Sequence, residues 1–325
     1  MNTSELLPEV DVIEGVYLCT RLDLPELFSA AMAEKKGLRL YRPEDVPDPA
    51  RIRFALVWAP AEDAFDAYPN VELVQVIAAG VDGVLHNPSL PENAVVTRVH
   101  DPEQAATMAG FAVWHVVWHH RKMGTYLKAQ QDANWSRYLI KTLKSPSLIT
   151  VGILGYGLMG KAIAQATAAL GFQVLVASRT AGESEAGITR ISGDDAVNEV
   201  AAQADILINV LPLTPQTRNV LNAKLFAIMP KGAALIQLGR GDHLVEEDLI
   251  AALDSGQIGG ASLDVFKQEP LPDTHPFWTH PNVVVTPHEA SVTTPEVVAN
   301  ALENAINDVA AGRCPTSIVD LKTGY

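Results

Sequence analysis

Residues 148–171 read LITVGILGYGLMGKAIAQATAALG, and their reading decides the fold. An apolar run at 148–154 leads straight into Gly155, Tyr156, Gly157, Leu158, Met159 and Gly160, after which small residues continue at helical spacing. That order predicts a strand, a glycine loop and a helix. Gly155 permits the tight turn, Gly157 lets a pyrophosphate approach the backbone, and Gly160 lets the helix lie close on the strand. Open N–H groups at the helix start then attract the anion. The pattern points to a dinucleotide site. A purely structural glycine turn, or another Rossmann ligand such as an S-adenosyl donor, are the alternatives.

Working outward, apolar runs at 173–178, 205–210, 233–238, 259–265 and 282–286 predict the other strands of this unit. A separate α/β unit precedes it, with strands predicted at 15–20, 38–41, 52–59 and 73–79 and a helix over 24–37 closed by Gly37. The runs 52–59 and 73–79 do not alternate, as expected of parallel strands covered on both faces. The alanine-rich segment 103–120 predicts a long, mostly buried helix that connects domains or contacts a second subunit. His115, His119 and His120 lie on it. They read as packed or interfacial rather than metal-binding, because no carboxylate occurs between residues 104 and 131 and no HExxH pattern is present. No metal site is expected. An amphipathic segment at 292–312 predicts a helix that returns to the first unit.

The fold class is therefore α/β: two Rossmann-like domains with parallel sheets and a cleft between them, the nucleotide domain inserted into the substrate domain. Residues 1–102 with 291–325 are assigned to a flavodoxin-like, substrate-binding domain, and 103–290 to the dinucleotide-binding domain. Crossovers near 101–106 and 289–295 would form a hinge.

The chain has 325 residues and a net charge of −14, with no block of basic residues beyond HHRK at 119–122. An acidic surface repels phosphate backbones, so nucleic acid is not expected as a partner. A small anion is compatible, since one well-placed arginine reverses the local field. The N-terminus, MNTSELLPEVDVIEG, has no basic region followed by a long apolar run, so no secretory leader is read. No stretch of ~18 uncharged apolar residues exists to span a bilayer. Cys19 and Cys314 read as free thiols of a cytoplasmic protein.

In NAD sites an acidic residue about twenty positions beyond the glycines accepts the ribose hydroxyls. Here the strand FQVLVAS ends in Ser178, Arg179 and Thr180, with no carboxylate before Glu183. An arginine between two hydroxyls suits a 2′-phosphate through charge-assisted bonds. NADPH is the expected cofactor; a solvated arginine that tolerates NADH is the alternative.

Three further residues follow strand ends, where open parallel sheets place ligands. Arg240 lies in LGRG, between Gly239 and Gly241, which are read as leaving the guanidinium uncrowded. Its planar fork fits a carboxylate. Glu269 lies in DVFKQEP and His288 in TPHEA. A carboxylate bonded to one ring nitrogen would fix the tautomer and favour imidazolium, the form that protonates a carbonyl oxygen. The alternative is a surface glutamate in a turn and a histidine capping a strand.

These blocks carry a resemblance. AAGVDGVL (78–85), VGILGYGLMG (151–160), ASRT (177–180), NVLPLTPQTRNVLN (209–222), LGRG (238–241), VEEDLIAALDSGQIGGASLDVFKQEPLP (245–272) and HPFWTHPNVVVTPHEA (275–290) are similar, in order and spacing, to the D-isomer-specific 2-hydroxyacid dehydrogenases. Within that family the chain looks like the bacterial glyoxylate/hydroxypyruvate reductase A branch. The resemblance implies that Arg240 binds substrate and polarises its carbonyl, that His288 is the acid/base, and that Glu269 orients it. It implies that Asp264 holds the nicotinamide carboxamide and that the amides of Ala79, Gly80 and Val81 cradle the substrate carboxylate. Ser178, Arg179 and Thr180 would take the 2′-phosphate. Leu211, Pro212, Leu238, Gly239 and His288 would join the glycine loop in lining the cofactor.

The implied chemistry is hydride transfer from NADPH to a small 2-oxo acid, glyoxylate or hydroxypyruvate, giving glycolate or D-glycerate. Trp58, Phe277 and Trp278 could crowd the site and favour small acids, or be core or interface aromatics. A broader reductase acting on aromatic or branched 2-oxo acids is one alternative, and a non-catalytic dinucleotide sensor another. The family also implies a homodimer through the 103–120 helix. Three departures stand out: QLGRG replaces the usual NxARG, Glu289 follows His288, and AGF occupies 109–111.

Overall fold

Strands without alternation need cover on both sides, and the computed structural model supplies it twice. It describes residues 12–135, 137 and 142–320. Residues 1–11, which bear most of the sequence read for a leader, lie outside the described residues, as do 321–325. The chain divides into two compact units, residues 1–101 with 293–325, and residues 102–292.

In the first unit β1 (Ile13–Cys19), β2 (Leu38–Tyr41), β3 (Ile52–Trp58), β4 (Leu73–Val76) and β5 (Val95–Thr97) form a sheet in the order β2-β1-β3-β4-β5. Every pairing is parallel. Val16, Leu18, Ala55 and Val57 pack into one core while Tyr17, Phe54 and Leu56 pack into another, so successive residues feed opposite faces. Helix α1 (Leu24–Ala33) begins at Asp23, whose carboxylate accepts the Glu26 N–H at 3.0 Å. It stops at Ala33, four residues before the glycine expected to close it; Lys35 N–H turns back to Met32 O instead. A short helix, α2 (Asp82–Leu85), follows β4.

The second unit starts with α3 (Pro102–His120) and α4 (Met123–Gln131). Its strands are β6 (Thr150–Leu154), β7 (Gln173–Ser178), β8 (Ile188–Ser192), β9 (Ile206–Asn209), β10 (Ala233–Gln237), β11 (Ile258–Leu263) and β12 (Val283–Val285). They form an all-parallel sheet in the order β12-β11-β10-β9-β6-β7-β8. The chain order reverses between β6 and β9, leaving the switch point beside the glycine loop. Helices α5 (Leu158–Ala169), α6 (Ala196–Ala201), α7 (Ala223–Ile228) and α8 (Glu246–Asp254) complete the unit. Helix α9 (Pro295–Ala310), capped by the Thr294 side chain, buries Val298, Ala299, Leu302, Ala305 and Ile306 against the first unit's core. That stripe is what the amphipathic pattern predicted.

Strands β5 and β8 escaped the sequence analysis. β5 is three residues long, and β8 is an edge strand, ITRIS, with only Ile188 fully buried. No helix among the described residues is long and apolar enough to cross a membrane.

Helix α3 packs on α5, where Ala109, Ala112 and Val116 share one core with Ile163 and Ala164. His115 is 1% exposed and His119 sets Nε2 2.8 Å from Ser262 Oγ. Burial pushes His115 down to about 4. Burial, with a smaller push from His115, takes His119 to about 3. Unfolded histidines titrate near ~6.5, so the unfolded chain gains protons first as pH falls. The stability contributed by these neutral rings is complete above ~6.5 and is lost progressively toward about 4 and about 3. Taking the pH from about 7 to about 5 is expected to cost about 2 kcal/mol per histidine. Chemical denaturation should show that acid limb flattened in His119→Gln; an unaltered limb would show that His119 does not set it.

Candidate active site

Because the second sheet is wholly parallel, its carboxyl ends share one edge, and the loops there carry the site. β6 delivers the glycine loop, β7 delivers Ser178–Thr180, and β9 delivers Leu211 and Pro212. β10 delivers Leu238–Arg240, β11 delivers Asp264 and then Glu269, and β12 delivers His288. The adjacency of β10, β11 and β12 gathers Arg240, Glu269 and His288 onto neighbouring loops.

His288 Nδ1 lies 2.9 Å from Glu269 Oε2. The other carboxylate oxygen accepts the Phe266 N–H at 3.0 Å, which fixes Glu269 against its own loop. The two side chains are 33% and 24% exposed, partly shielded yet open to a reactant. Because the Glu269 carboxylate can only accept, the ring carries a proton on Nδ1.

His288 has φ +59°, a left-handed conformation that costs an L-residue about 1–2 kcal/mol. Asp264, 1% exposed, holds the loop in it. Its Oδ1 accepts Thr286 Oγ1–H at 2.6 Å and Glu289 N–H at 3.0 Å, and Oδ2 accepts Ala290 N–H at 2.9 Å. The resemblance gives Asp264 a cofactor contact; in the structure its carboxylate staples the segments on both sides of His288.

The arginine loop differs from its sequence reading. Gly239 and Gly241 do not leave open space around Arg240. A Cβ on Gly239 would meet His243 Nδ1 at 2.7 Å and Asn209 Nδ2 at 2.9 Å. One on Gly241 would meet the Phe266 carbonyl carbon at 1.9 Å. Both glycines are demanded by protein packing, and Gly241 presses the arginine loop against the Glu269 loop. Arg240 itself is half-buried, with Nη1 donating to Gly239 O at 2.9 Å. The buried trio Asn209, Gln237 and His243 behind it was not singled out from the sequence, since its members are distant along the chain.

At the glycine loop, Gly155 has φ +103° and lies against Val210 O, where an added Cβ would come within 3.1 Å. A Cβ on Gly160 would fall 2.0 Å from Gly155 O, so the close helix–strand approach requires glycine. Gly157 is different: nothing lies within 4 Å of its added Cβ, and it begins α5. That open face, at a helix start with free N–H groups, fits a diphosphate. Tyr156 donates its hydroxyl to Glu185 Oε1 at 2.8 Å; burial first, then that bond, pushes it up to about 12. The Gln165 amide and the Tyr156 hydroxyl hold Glu185 below the usual carboxylate range.

Ser178 Oγ donates to Thr180 O at 2.9 Å, and Arg179 stands exposed between them. The unpredicted β8 adds Arg190. Its guanidinium lies 4.9 Å from the Tyr156 ring centre, and Nη2 donates to Thr180 O at 3.1 Å. Two arginines thus flank the end of β7.

Trp58 and the 79–81 segment belong to the first unit, at the carboxyl ends of β3 and β4. Arg98 Nη1 donates to Ala79 O at 3.3 Å, and burial lowers its guanidinium below the ordinary range. Phe277 is 1% exposed and packs on Phe266 and His275, so it fills core rather than a substrate mouth. Trp278 is 49% exposed, its indole N–H bonded to Pro272 O.

Residues 113–290 match the family model for the D-isomer specific 2-hydroxyacid dehydrogenase NAD-binding domain. A glyoxylate/hydroxypyruvate reductase A of Yersinia enterocolitica is 38% identical over 277 residues, covering 84% of this chain and 87% of the relative. Among solved structures, a D-isomer specific 2-hydroxyacid dehydrogenase of Xanthobacter autotrophicus Py2, in complex with NADPH and MES, is 36% identical with a TM-score of 0.88. The match covers 96% of this chain and 99% of that one. An NADPH-dependent glyoxylate/hydroxypyruvate reductase of Sinorhizobium meliloti, with NADP and sulfate, is 32% identical with a TM-score of 0.89 over the same shares.

Asp264→Ala is expected to lower unfolding free energy by about 2–4 kcal/mol, because three donors lose their acceptor. Hydrogen exchange should quicken at the Glu289 and Ala290 amides before it does in β11. Unchanged protection there would remove Asp264 from its stapling role.

Proposed function

The chain belongs to the D-isomer specific 2-hydroxyacid dehydrogenases, and from that membership we propose an NADPH-preferring reductase of small 2-oxo acids, glyoxylate and hydroxypyruvate, yielding glycolate and D-glycerate. One observation carries the chemistry: His288 Nδ1 sits 2.9 Å from Glu269 on the strand end next to Arg240. The substrate class follows relatives of that name, which span 84% of the chain.

The residues present suit the cofactor. Gly157 and the start of α5 receive the diphosphate, with Tyr156, Leu158 and Met159 completing the loop. Ser178, Arg179 and Thr180 take the 2′-phosphate, where charge-assisted bonds favour NADPH and leave NADH the weaker alternative. Leu211, Pro212, Leu238 and Gly239 line the same edge. Bound NADPH supplies the hydride.

Arg240 holds the substrate carboxylate with its fork and steadies the carbonyl oxygen as negative charge develops. His288 gives that oxygen its proton from Nε2, while Glu269 stabilises the imidazolium and keeps the ring aimed. The amides of Ala79, Gly80 and Val81 are assigned to the substrate carboxylate, and Trp58 to limiting acid size. The domain that carries them is the substrate-binding one. The proposed compartment is the cytoplasm, whose reducing milieu suits the free thiols of Cys19 and Cys314.

Assembly as a homodimer through α3 belongs to the same proposal. Trp114 and Val117 are 52% and 37% exposed there, and Trp114 stacks on Trp118. Light scattering should return twice the chain mass; a monomer would remove that assignment.

Turnover is read from loss of reduced-nicotinamide absorbance with a panel of 2-oxo acids. Glyoxylate and hydroxypyruvate should lead; faster aromatic acids would redirect the substrate, and no turnover despite NADPH binding would leave a sensor. His288→Ala should lower kcat about 10²–10⁴-fold with NADPH affinity kept, and in the same series Arg179→Ala should weaken NADPH far more than NADH.

A further inference from the structure

His243 is completely buried, yet both of its ring nitrogens face polar atoms of loops that carry the site. Nδ1 lies 3.0 Å from the Arg240 N–H and 3.0 Å from Asn209 Nδ2, which are both donors. Nε2 lies 3.3 Å from Pro212 O, which only accepts. Two donors can converge on Nδ1 only if it bears no proton, so the ring is the neutral Nε2–H tautomer.

The neighbouring side chains continue the pattern. Asn209 and Gln237 are also 0% exposed. Gln237 Nε2 donates to Arg240 O at 2.8 Å, and its Oε1 accepts from Asn209 Nδ2 at 2.7 Å. Asn209 Oδ1 accepts the Leu211 N–H at 3.3 Å. Arg240 thus has its N–H held by His243 and its C=O held by Gln237. The 210–212 segment that His243 and Asn209 hold lies against Gly155 of the glycine loop. Gly239 packs directly on the pair: its added Cβ would strike His243 Nδ1 and Asn209 Nδ2, so the loop closes on this histidine with no room for a larger side chain.

We propose that His243 is a positioning residue that locks the backbone of Arg240 through Nδ1 and ties it to the cofactor loop at Pro212 through Nε2. This rests on the assignment of Arg240 to substrate and of the 211–212 loop to the cofactor. A histidine that merely filled core would not need a separate loop on each nitrogen.

The two links are separable by substitution. An Asn side chain places its amide oxygen near the Nδ1 position, and a Gln side chain places its amide near Nε2. His243→Asn therefore keeps an acceptor for Arg240 and loses Pro212, whereas His243→Gln keeps a donor for Pro212 and loses Arg240. With NADPH and glyoxylate, His243→Gln should raise the glyoxylate KM roughly 10–100-fold with NADPH Kd, from fluorescence titration, within about threefold of the parent. His243→Asn should show the reverse split. Nitrogen NMR of the parent protein, which needs no variant to fold, should show Nδ1 unprotonated and Nε2 protonated.

An Nδ1–H tautomer, equal effects of both variants on KM and Kd, or a lowered Tm with both constants unchanged would each overturn the proposal. If the parent turns over no 2-oxo acid, the reductase assignment fails instead, and the NADPH titration of His243→Asn together with the NMR tautomer still decides the His243 links.

Discussion

One buried carboxylate holds the reacting end together. Asp264 directly follows β11 and takes three hydrogen bonds from Thr286, Glu289 and Ala290, the residues around His288. A left-handed backbone at a histidine does not persist unaided, since its cost must be offset by surrounding contacts. Asp264 supplies those contacts from the next strand, and Glu269, five residues further on, then meets a ring already turned toward it. The ring proposed as the proton donor is thus aimed by the sheet itself, which is the preorganisation that electrostatic catalysis needs.

Glycines show how packing and function divide one residue type. Gly160, Gly239 and Gly241 are each fixed by protein atoms within 3 Å of an added Cβ. Gly157, unlike Gly155 and Gly160 in the same loop, has clear space and an ordinary φ of −80°, so neither strain nor crowding accounts for it. Approach of an outside group does. The same logic turns the glycines around Arg240 from a device for openness into a device for close contact between loops.

Charge is distributed to match. A chain with net charge −14 sets Arg179 and Arg190 at the end of β7 and Arg240 at the end of β10. Glu185 is kept beside Tyr156, Gln165 and Lys161. Local field, rather than overall balance, governs which anion is welcome.

Much of this was legible along the chain. The strand–glycine–helix order at 148–171, the non-alternating runs of parallel strands, the basic end of β7 and the motifs around Arg240, Glu269 and His288 are all local patterns, and local patterns constrain backbone conformation directly. The edge strand β8 was not legible, because Thr189 and Arg190 dilute its apolar signal, and Arg190 was missed with it. Nor could sequence reveal that Asp264 serves the His288 loop, that Phe277 is core, or that Asn209, Gln237 and His243 form one buried network. Residues separated by tens of positions become partners only when strand order is chosen, and a buried polar group must find its donor among whatever that order brings near. Spacing along the chain determined which residues could do chemistry; the sheet order decided what holds each of them in place.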